Sequence, residues 1–306
     1  MSKKPGDWWD ESLNPVEGCE PVSEACENCW ALAMMRRFRG KGLPKFRTYP
    51  RRLEILETWK KPRRIFVGSL TDMLHEQAWP YLMMIIRKAH HFSRHSFVIL
   101  TKRPHLIEEF KIASGYHASP YTFYEDNIWF GITAENQTRL DERVPFLEKH
   151  PFKIRFLSLE PLLGPIDLTE MLPHVQWVIV GGETGPKARP MHPEWIRGIR
   201  DQCLAAGVPF WFKSWGEWRA QPTLPCEPAF IHGLLVGTKL QGVWEAVVHD
   251  KPWGCLDFHG AYFPETTTWN GRQLSPDDDF ECTVYRVGHK NAGRKLDGRE
   301  WSEVPK

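Results

Sequence analysis

The segment "GCEPVSEACENCWA", residues 18 to 31, sets Cys19, Cys26 and Cys29 at C-x₆-C-x₂-C and supplies no fourth cysteine nearby. Three reduced thiolates this close repel one another unless a metal neutralises them. Soft sulfur selects zinc, copper(I) or an iron–sulfur cluster. A structural zinc site usually arrives as paired cysteine knuckles, and no second C-x-x-C occurs in the chain. Zinc would need a distant His, or Cys203, Cys226, Cys255 or Cys282, to complete it. A [4Fe–4S] cluster held by three cysteines instead leaves one iron free to bind substrate or cofactor. The residues alone leave both readings standing.

A second set of reactive side chains recurs wherever a short apolar run ends. It comprises Ser69 and Asp72; Thr101, Lys102 and Arg103; Thr133, Glu135 and Asn136; Ser158 and Glu160; Gly181, Gly182 and Glu183; and Lys213 and Ser214. Lys102, Arg103, Arg189 and Lys213 suit an anionic group such as a carboxylate or phosphate. The plainer alternative pairs them with Asp72, Glu135, Glu160 and Glu183. "GPKARPMH" reads as a substrate clamp or a simple turn. Walker, H-E-x-x-H and Rossmann signatures are absent, so phosphoryl transfer, zincin and NAD chemistry lack their motifs.

The elements that must position these groups alternate. The runs 64–70, 97–103, 128–136, 154–161, 177–185 and 208–216 have the length and the β-branched or aromatic content of strands buried on both faces. "WPYLMMIIRKAHHFS" and "HPEWIRGIRDQCLAAG" between them show helical spacing, the second closed by Gly207 as a C-cap. "SLNPVEGC" reads as a first strand and "WALAMMRRF" as the start of a helix, which puts the cysteines in the first strand-to-helix loop. This alternation predicts an α/β fold with a parallel sheet, a full or partial TIM-like (β/α) barrel with its site at the C-terminal rim. An open doubly wound sheet would also place its site at strand ends.

At 306 residues and 42% hydrophobic content the chain can bury one large core, read as a barrel over 1–216 with a capping elaboration over 217–306. In the elaboration, "GVWEAVVHD" and "ECTVYRVG" read as strands. "RVGHKNAGRKLDGREW" is a basic stretch with His289, Lys290, Arg294, Lys295 and Arg299, suited to gripping single strands or flipped bases, or else simply solvated. The net charge of +2 leaves nucleic acid open as a partner. No apolar run approaches the ~18 residues of a membrane span or forms a signal peptide. A soluble cytoplasmic protein with reduced cysteines is expected.

A three-cysteine loop after the first strand of an α/β barrel resembles the radical S-adenosylmethionine (SAM) superfamily, whose usual spacing, C-x₃-C-x₂-C, is shorter in its first gap. The chain is also similar end to end to the phage gene-product 37/68 family of three-cysteine-motif proteins. "LNPVEGCEPVSEACENCWA", "FVGSLTDMLHE", "ILTKRPHLI", "GITAENQTRLDERVPFL", "LSLEPLLGPIDL", "IVGGETGPKARPMHPEWIRGIRDQCLAAGVPFWFKSWGEW" and "GHKNAGRKLDGREW" carry that likeness. Trp30 stands where a tyrosine is frequent.

The resemblance implies a barrel of the radical SAM type, with Cys19, Cys26 and Cys29 holding three irons and SAM chelating the fourth. Reduction by an electron donor such as flavodoxin would cleave SAM to methionine and a 5′-deoxyadenosyl radical. Ser69 and Asp72 become candidates for the SAM amine, Glu135 and Asn136 for its ribose or carboxylate. Thr133, Gly181, Gly182 and Glu183 fall in the same cofactor-binding set, the glycines allowing close backbone approach. Lys102, Glu160 and Lys213 become catalytic candidates, and Arg103, Arg189 and Ser214 substrate contacts. The implied substrate is a phage nucleic-acid base, as DNA or as a modified nucleotide, in the host-cell cytoplasm. Isomerisation of a hypermodified thymidine side chain is the leading expectation. A base-repair lyase similar to spore photoproduct lyase and a zinc-stabilised nucleic-acid or protein binder are the alternatives.

Overall fold

Short apolar runs punctuated by polar residues leave the chain few ways to satisfy its backbone, and in the computed structural model they become strands of one parallel sheet. The structure describes residues 7–39, 45–115, 122–220, 253–256, 262–264, 268–269, 272–273 and 282–305. In chain order the first elements are β1 (Glu11–Leu13), β2 (Val16–Glu17), α1 (Trp30–Arg39), β3 (Arg47–Thr48), β4 (Arg64–Val67), α2 (Trp79–His91) and β5 (Ser96–Thr101). They are followed by α3 (Ile107–Ala113), β6 (Ile128–Thr133), α4 (Gln137–Glu148), β7 (Ile154–Leu159), β8 (Trp177–Gly181), α5 (Pro193–Ala206) and β9 (Phe210–Ser214). Beyond these come β10 (Trp218–Ala220), β11 (Trp253–Leu256), β12 (Tyr262–Pro264), β13 (Thr268–Trp269), β14 (Arg272–Gln273), β15 (Cys282–Arg286), α6 (His289–Ala292), β16 (Lys295–Leu296) and β17 (Arg299–Glu300).

Seven strands pair in the order β1-β4-β5-β6-β7-β8-β9, every pair parallel. The sheet is a curled half-barrel, so the expected α/β fold with a partial barrel is what forms. Alternation along the strands divides two cores. Ile65, Phe97, Ile99, Phe130, Leu157 and Val178 face outward into the large helix-covered core, where Ile85, Ile86, Leu140, Trp195 and Ile199 meet them. Val98, Phe156, Trp177, Ile179 and Trp211 face inward, and Trp8 and Trp9 fill the concave side against them. Each fully buried aromatic contributes about 1.5–3 kcal/mol of transfer free energy.

Local chemistry sets the ends. Asn136 caps α4 by accepting from the Arg139 N–H at 3.0 Å. Gly207 ends α5 in the left-handed conformation, φ 68°, as its sequence position predicts. The strands stop two to four residues short of several expected runs, because the polar ends turn away to form rim loops. "SLNPVEGC" is divided: Pro15 carries no N–H, and after it β2 leaves the sheet and pairs antiparallel with β3.

The expected strand "ECTVYRVG" is β15, paired with β10 and β11; "GVWEAVVHD" lies outside the described residues. The C-terminal stretch is not confined to a cap. Trp301 and Leu296 join the main core, and residues 301–303 run antiparallel along β9, with the Phe212 N–H bonded to Trp301 O at 3.1 Å and the Glu303 N–H to Phe210 O at 3.2 Å. The chain end thus covers β9, the last strand of the parallel sheet.

Candidate functional site

The cysteine loop runs from the end of β2 through a 3₁₀ turn at Glu24–Cys26 to the start of α1. Groups that follow the sheet strands hold it at their C-terminal ends. Gly18 N–H donates to Leu70 O, after β4, at 3.1 Å. Arg103, after β5, donates to Glu20 O at 2.7 Å. Asn136 and Arg139, after β6, hold the Glu24 carboxylate at 2.5 and 2.9 Å. Arg189, after β8, donates to Glu24 O at 2.9 Å, and Asn28 reaches Glu183 Oε2 at 3.1 Å. Four loops of the rim therefore fix one loop of the N-terminus.

The three thiols are half-buried and unpaired by disulfide. Cys19 and Cys29 pack on the same Ala31, Leu32 and Met35 patch. Cys19 donates weakly to Glu20 O at 3.6 Å, and Cys26 lies 4.0 Å from Ser23 Oγ. Burial pushes the Cys19 thiol above its ordinary value, and the neighbouring Asp72 charge and Cys26 add to this. A bound cation would reverse that shift, since coordination deprotonates a thiol outright. Among the described residues no group of three or more His, Cys, Asp and Glu side chains converges on one metal position.

The other described cysteines lie on other elements of the fold. Cys203 sits in the core on α5, its thiol pushed up to about 12 by burial and then by Glu303. Cys255 and Cys282 lie on the neighbouring strands β11 and β15 of the C-terminal sheet, and Cys226 is outside the described residues. The donor chemistry is three half-buried thiols on an anchored loop, soft ligands of the kind that zinc or an iron–sulfur cluster takes.

Most of the other residues singled out from sequence converge on this rim, but as anchors. Asp72 is buried and takes four donors: the Leu74 and Lys102 N–H groups, Thr101 Oγ and Arg103. Its lone pairs are thus occupied, and it joins the β4 and β5 loops. Ser69 exchanges hydrogen bonds with Asn14. Glu183 forms a two-pronged pair with Arg189 at 2.6 and 2.9 Å. The ion pairs considered from sequence as the plainer alternative form for Arg103 with Asp72, Arg189 with Glu183 and Lys213 with Glu160. Glu135 pairs with Arg143, at 2.9 Å, and its other oxygen is buried with no hydrogen-bond partner. Thr133 is buried, its carbonyl accepting from Arg143.

The glycines do not open space toward a ligand. A Cβ on Gly181 would stand 2.8 Å from Glu160 Oε1, and one on Gly182 only 2.2 Å from Trp215 O. The chain itself occupies the room they leave. Gly182 N–H also donates to Ser214 O at 2.9 Å, which joins the ends of β8 and β9.

Inside the half-barrel a second constellation forms. Glu160 accepts from Trp8 Nε1 at 3.3 Å and Ser158 Oγ at 3.1 Å, and pairs with Lys213 at 2.9 Å. The Lys213 ammonium lies 5.4 Å from the Trp9 ring centroid. The Lys102 ammonium has no hydrogen bond or ion pair among the described residues. Glu160 and Lys213 thus form an ion pair at the concave mouth.

A cleft of about 600 Å³ lies beside the loop, bounded by Glu24, Asn136, Arg189, Trp195, Trp218 and Arg286 among others. Its size suits a nucleoside or similar small molecule. Of the basic C-terminal residues, Arg294 pairs with Glu300 and Arg299 with Glu303, and Arg299 also lies over Trp301.

Sequence reasoning missed Glu24, Asn28 and Arg139, which carry loop anchors, Arg143, which pairs with Glu135, and Trp8, which reaches Glu160. Glu24 and Asn28 stand inside the cysteine motif, where they read as spacers. Burial acts against the Glu24 charge, but its own N–H, Arg139 and Asn136 outweigh this and hold its carboxyl down at about 2.

Among known proteins, a family model described as "Protein of unknown function (DUF5131)" matches residues 4–305, and the chain belongs to that family. No curated protein and no solved structure matches it. Among the described residues no helix is long and apolar enough to cross a membrane.

Proposed function

We propose that the protein is a radical SAM enzyme that acts on a nucleic-acid base, isomerising the side chain of a hypermodified thymidine in phage DNA. The observation that carries this reading is the three-thiol loop fastened by four rim loops at the C-terminal ends of parallel strands.

Cys19, Cys26 and Cys29 would hold a [4Fe–4S] cluster. Such a cluster, reduced by a one-electron donor such as flavodoxin, supplies the electron that cleaves SAM to methionine and a 5′-deoxyadenosyl radical. This chain's own residues do the rest. Arg103, Arg139 and Arg189 keep the thiols in place as the cluster's charge changes. Trp8, Trp9, Phe66 and Phe156 exclude water from the concave side. The Glu160–Lys213 ion pair would orient the substrate's polar group at the concave mouth. In an isomerisation the hydrogen taken from the substrate carbon returns after rearrangement, so no net oxidant is required.

The test is anaerobic reconstitution with iron and sulfide, EPR of the reduced protein with and without SAM, and chromatography for 5′-deoxyadenosine. A [4Fe–4S]⁺ signal that SAM perturbs, with deoxyadenosine formed, supports the proposal. One tightly held zinc per chain and no cluster signal overturns it and favours a zinc-stabilised binding protein.

A further inference from the structure

The chain carries a net charge of only +2, yet residues 28–53 hold eight Lys and Arg and not one Asp or Glu. This concentration flanks the cysteine loop on both sides. Cys29 leads directly into α1, and Gly18 packs so tightly against Phe46 that a Cβ would stand 2.9 Å from the Phe46 Cα. Arg47 pairs in register with Glu17, two residues before Cys19.

The cations face solvent. Arg36, Arg37, Lys45, Arg47 and Arg51 are exposed, and none pairs with a carboxylate among the described residues. Buried Ala31, Leu32 and Met35 seat one face of α1. Trp30, at the start of the helix, is 52% exposed and Phe38, near its end, 75%. Two large aromatics that open to water beside unpaired guanidiniums match neither a packed core nor a purely solvated face. Arg52 shows the stacking habit of this surface: its guanidinium lies 3.9 Å from the Tyr49 ring centroid while pairing with Glu17.

We propose that α1 and the 45–52 segment form a docking surface for a single-stranded nucleic acid, whose phosphates meet the five unpaired cations and whose bases stack on Trp30 and Phe38. A polymer chain spans both flanks of the cysteine loop, which a free nucleotide does not. This deepens the proposed function, on which it rests only in taking the docked strand as the substrate. Arginine forks suit phosphate oxygens, and interleaved aromatics suit bases, so the surface fits nucleic acid better than it fits a lipid headgroup layer or an acidic protein.

The experiment is fluorescence anisotropy of a labelled 20-nucleotide strand against the full-length protein without metal, from 50 to 200 mM KCl. Five phosphate contacts predict a log–log salt slope of about −3.5, a loss of about 10²-fold across that range. Replacing Arg36, Arg37, Lys45, Arg47 and Arg51 by Ala should bring the slope close to zero, with circular dichroism unchanged. As a second variant, Trp30→Ala with Phe38→Ala should weaken binding of the normal strand by about tenfold and leave an abasic strand unaffected. Thymidine monophosphate should fail to compete. An unchanged slope in the alanine set, or equal binding of normal and abasic strands, overturns the proposal. So does a phosphatidylserine vesicle or polyglutamate that binds the same residues more tightly than the strand. Binding needs no cluster, so strand binding without SAM cleavage would sink the radical chemistry alone, and the converse would sink the docking surface alone.

Discussion

Arg189→Ala removes the guanidinium that ties the β8 loop to the cysteine loop. Four bonds go with it: two to Glu183 at 2.6 and 2.9 Å, one to Glu24 O at 2.9 Å and a long one to Glu27 at 3.5 Å. Glu183 is 4% exposed and Arg189 32%. Breaking a fully buried pair costs about 3–5 kcal/mol, and the partial exposure of Arg189 lowers this to about 2–3 kcal/mol. Asn28 and the backbone N–H of residue 189 still donate to Glu183, so the carboxylate keeps two hydrogen bonds but no counter-ion. The loss should appear first as local opening of the loop. Thiol labelling of Cys26 by a disulfide reagent, followed by mass spectrometry of the full-length protein, should then accelerate about 30- to 150-fold. Adding Glu183→Gln removes the unpaired charge, and the double variant should recover at least about 1 kcal/mol of the loss. Labelling within threefold of the parent, together with strictly additive effects of the two changes, would refute the anchoring argument.

Gly182→Ala forces a Cβ to within 2.2 Å of a backbone oxygen that cannot rotate away; a loss of more than about 3 kcal/mol in urea unfolding is expected. Trp301→Ala vacates a core position next to Phe210. It should cost about 3–5 kcal/mol and speed proteolysis of the C-terminal tail. Glu24 titrates near 2 in the folded protein against an ordinary value of 4.5. Its contribution is therefore full above about pH 4.5 and lost as pH falls from there through about 2. Screening at this half-exposed carboxylate limits the contribution to about 1–2 kcal/mol. The Tm gap between the parent and Glu24→Gln should narrow steadily between pH 5 and pH 2.5.

The loop geometry bears on how a metal centre would be kept in register. Cys19, Cys26 and Cys29 span a segment with little regular structure, only one 3₁₀ turn. Such a segment would wander if its thiols were its only attachments. Here arginines from three rim loops bind its carbonyls and a carboxylate, and the Leu70 carbonyl of a fourth accepts from its Gly18 N–H, so the cost of ordering it is met before any metal arrives. Cys26→Ala should accordingly abolish cluster assembly while Tm stays within about 2 °C of the parent.

The amino-acid sequence by itself determined the alternation of strand and helix, the parallel sheet, the helix end at Gly207 and the placing of three cysteines at a strand-to-helix loop. Those features follow from periodicity and local chemistry, which neighbouring residues impose on one another. Only the tertiary structure decided what Asp72, Arg103, Glu183 and Arg189 do. An isolated cation at a strand end reads equally as a ligand contact or as half of an ion pair. The backbone carbonyls it also binds can lie more than 80 residues away, as Glu20 O does from Arg103, or more than 160, as Glu24 O does from Arg189. The same distance in sequence hid Trp8, whose bond to Glu160 closes across 152 residues. It also hid the C-terminal strand beside β9, because edge pairing depends on where a sheet ends in space and leaves no periodicity in a three-residue segment.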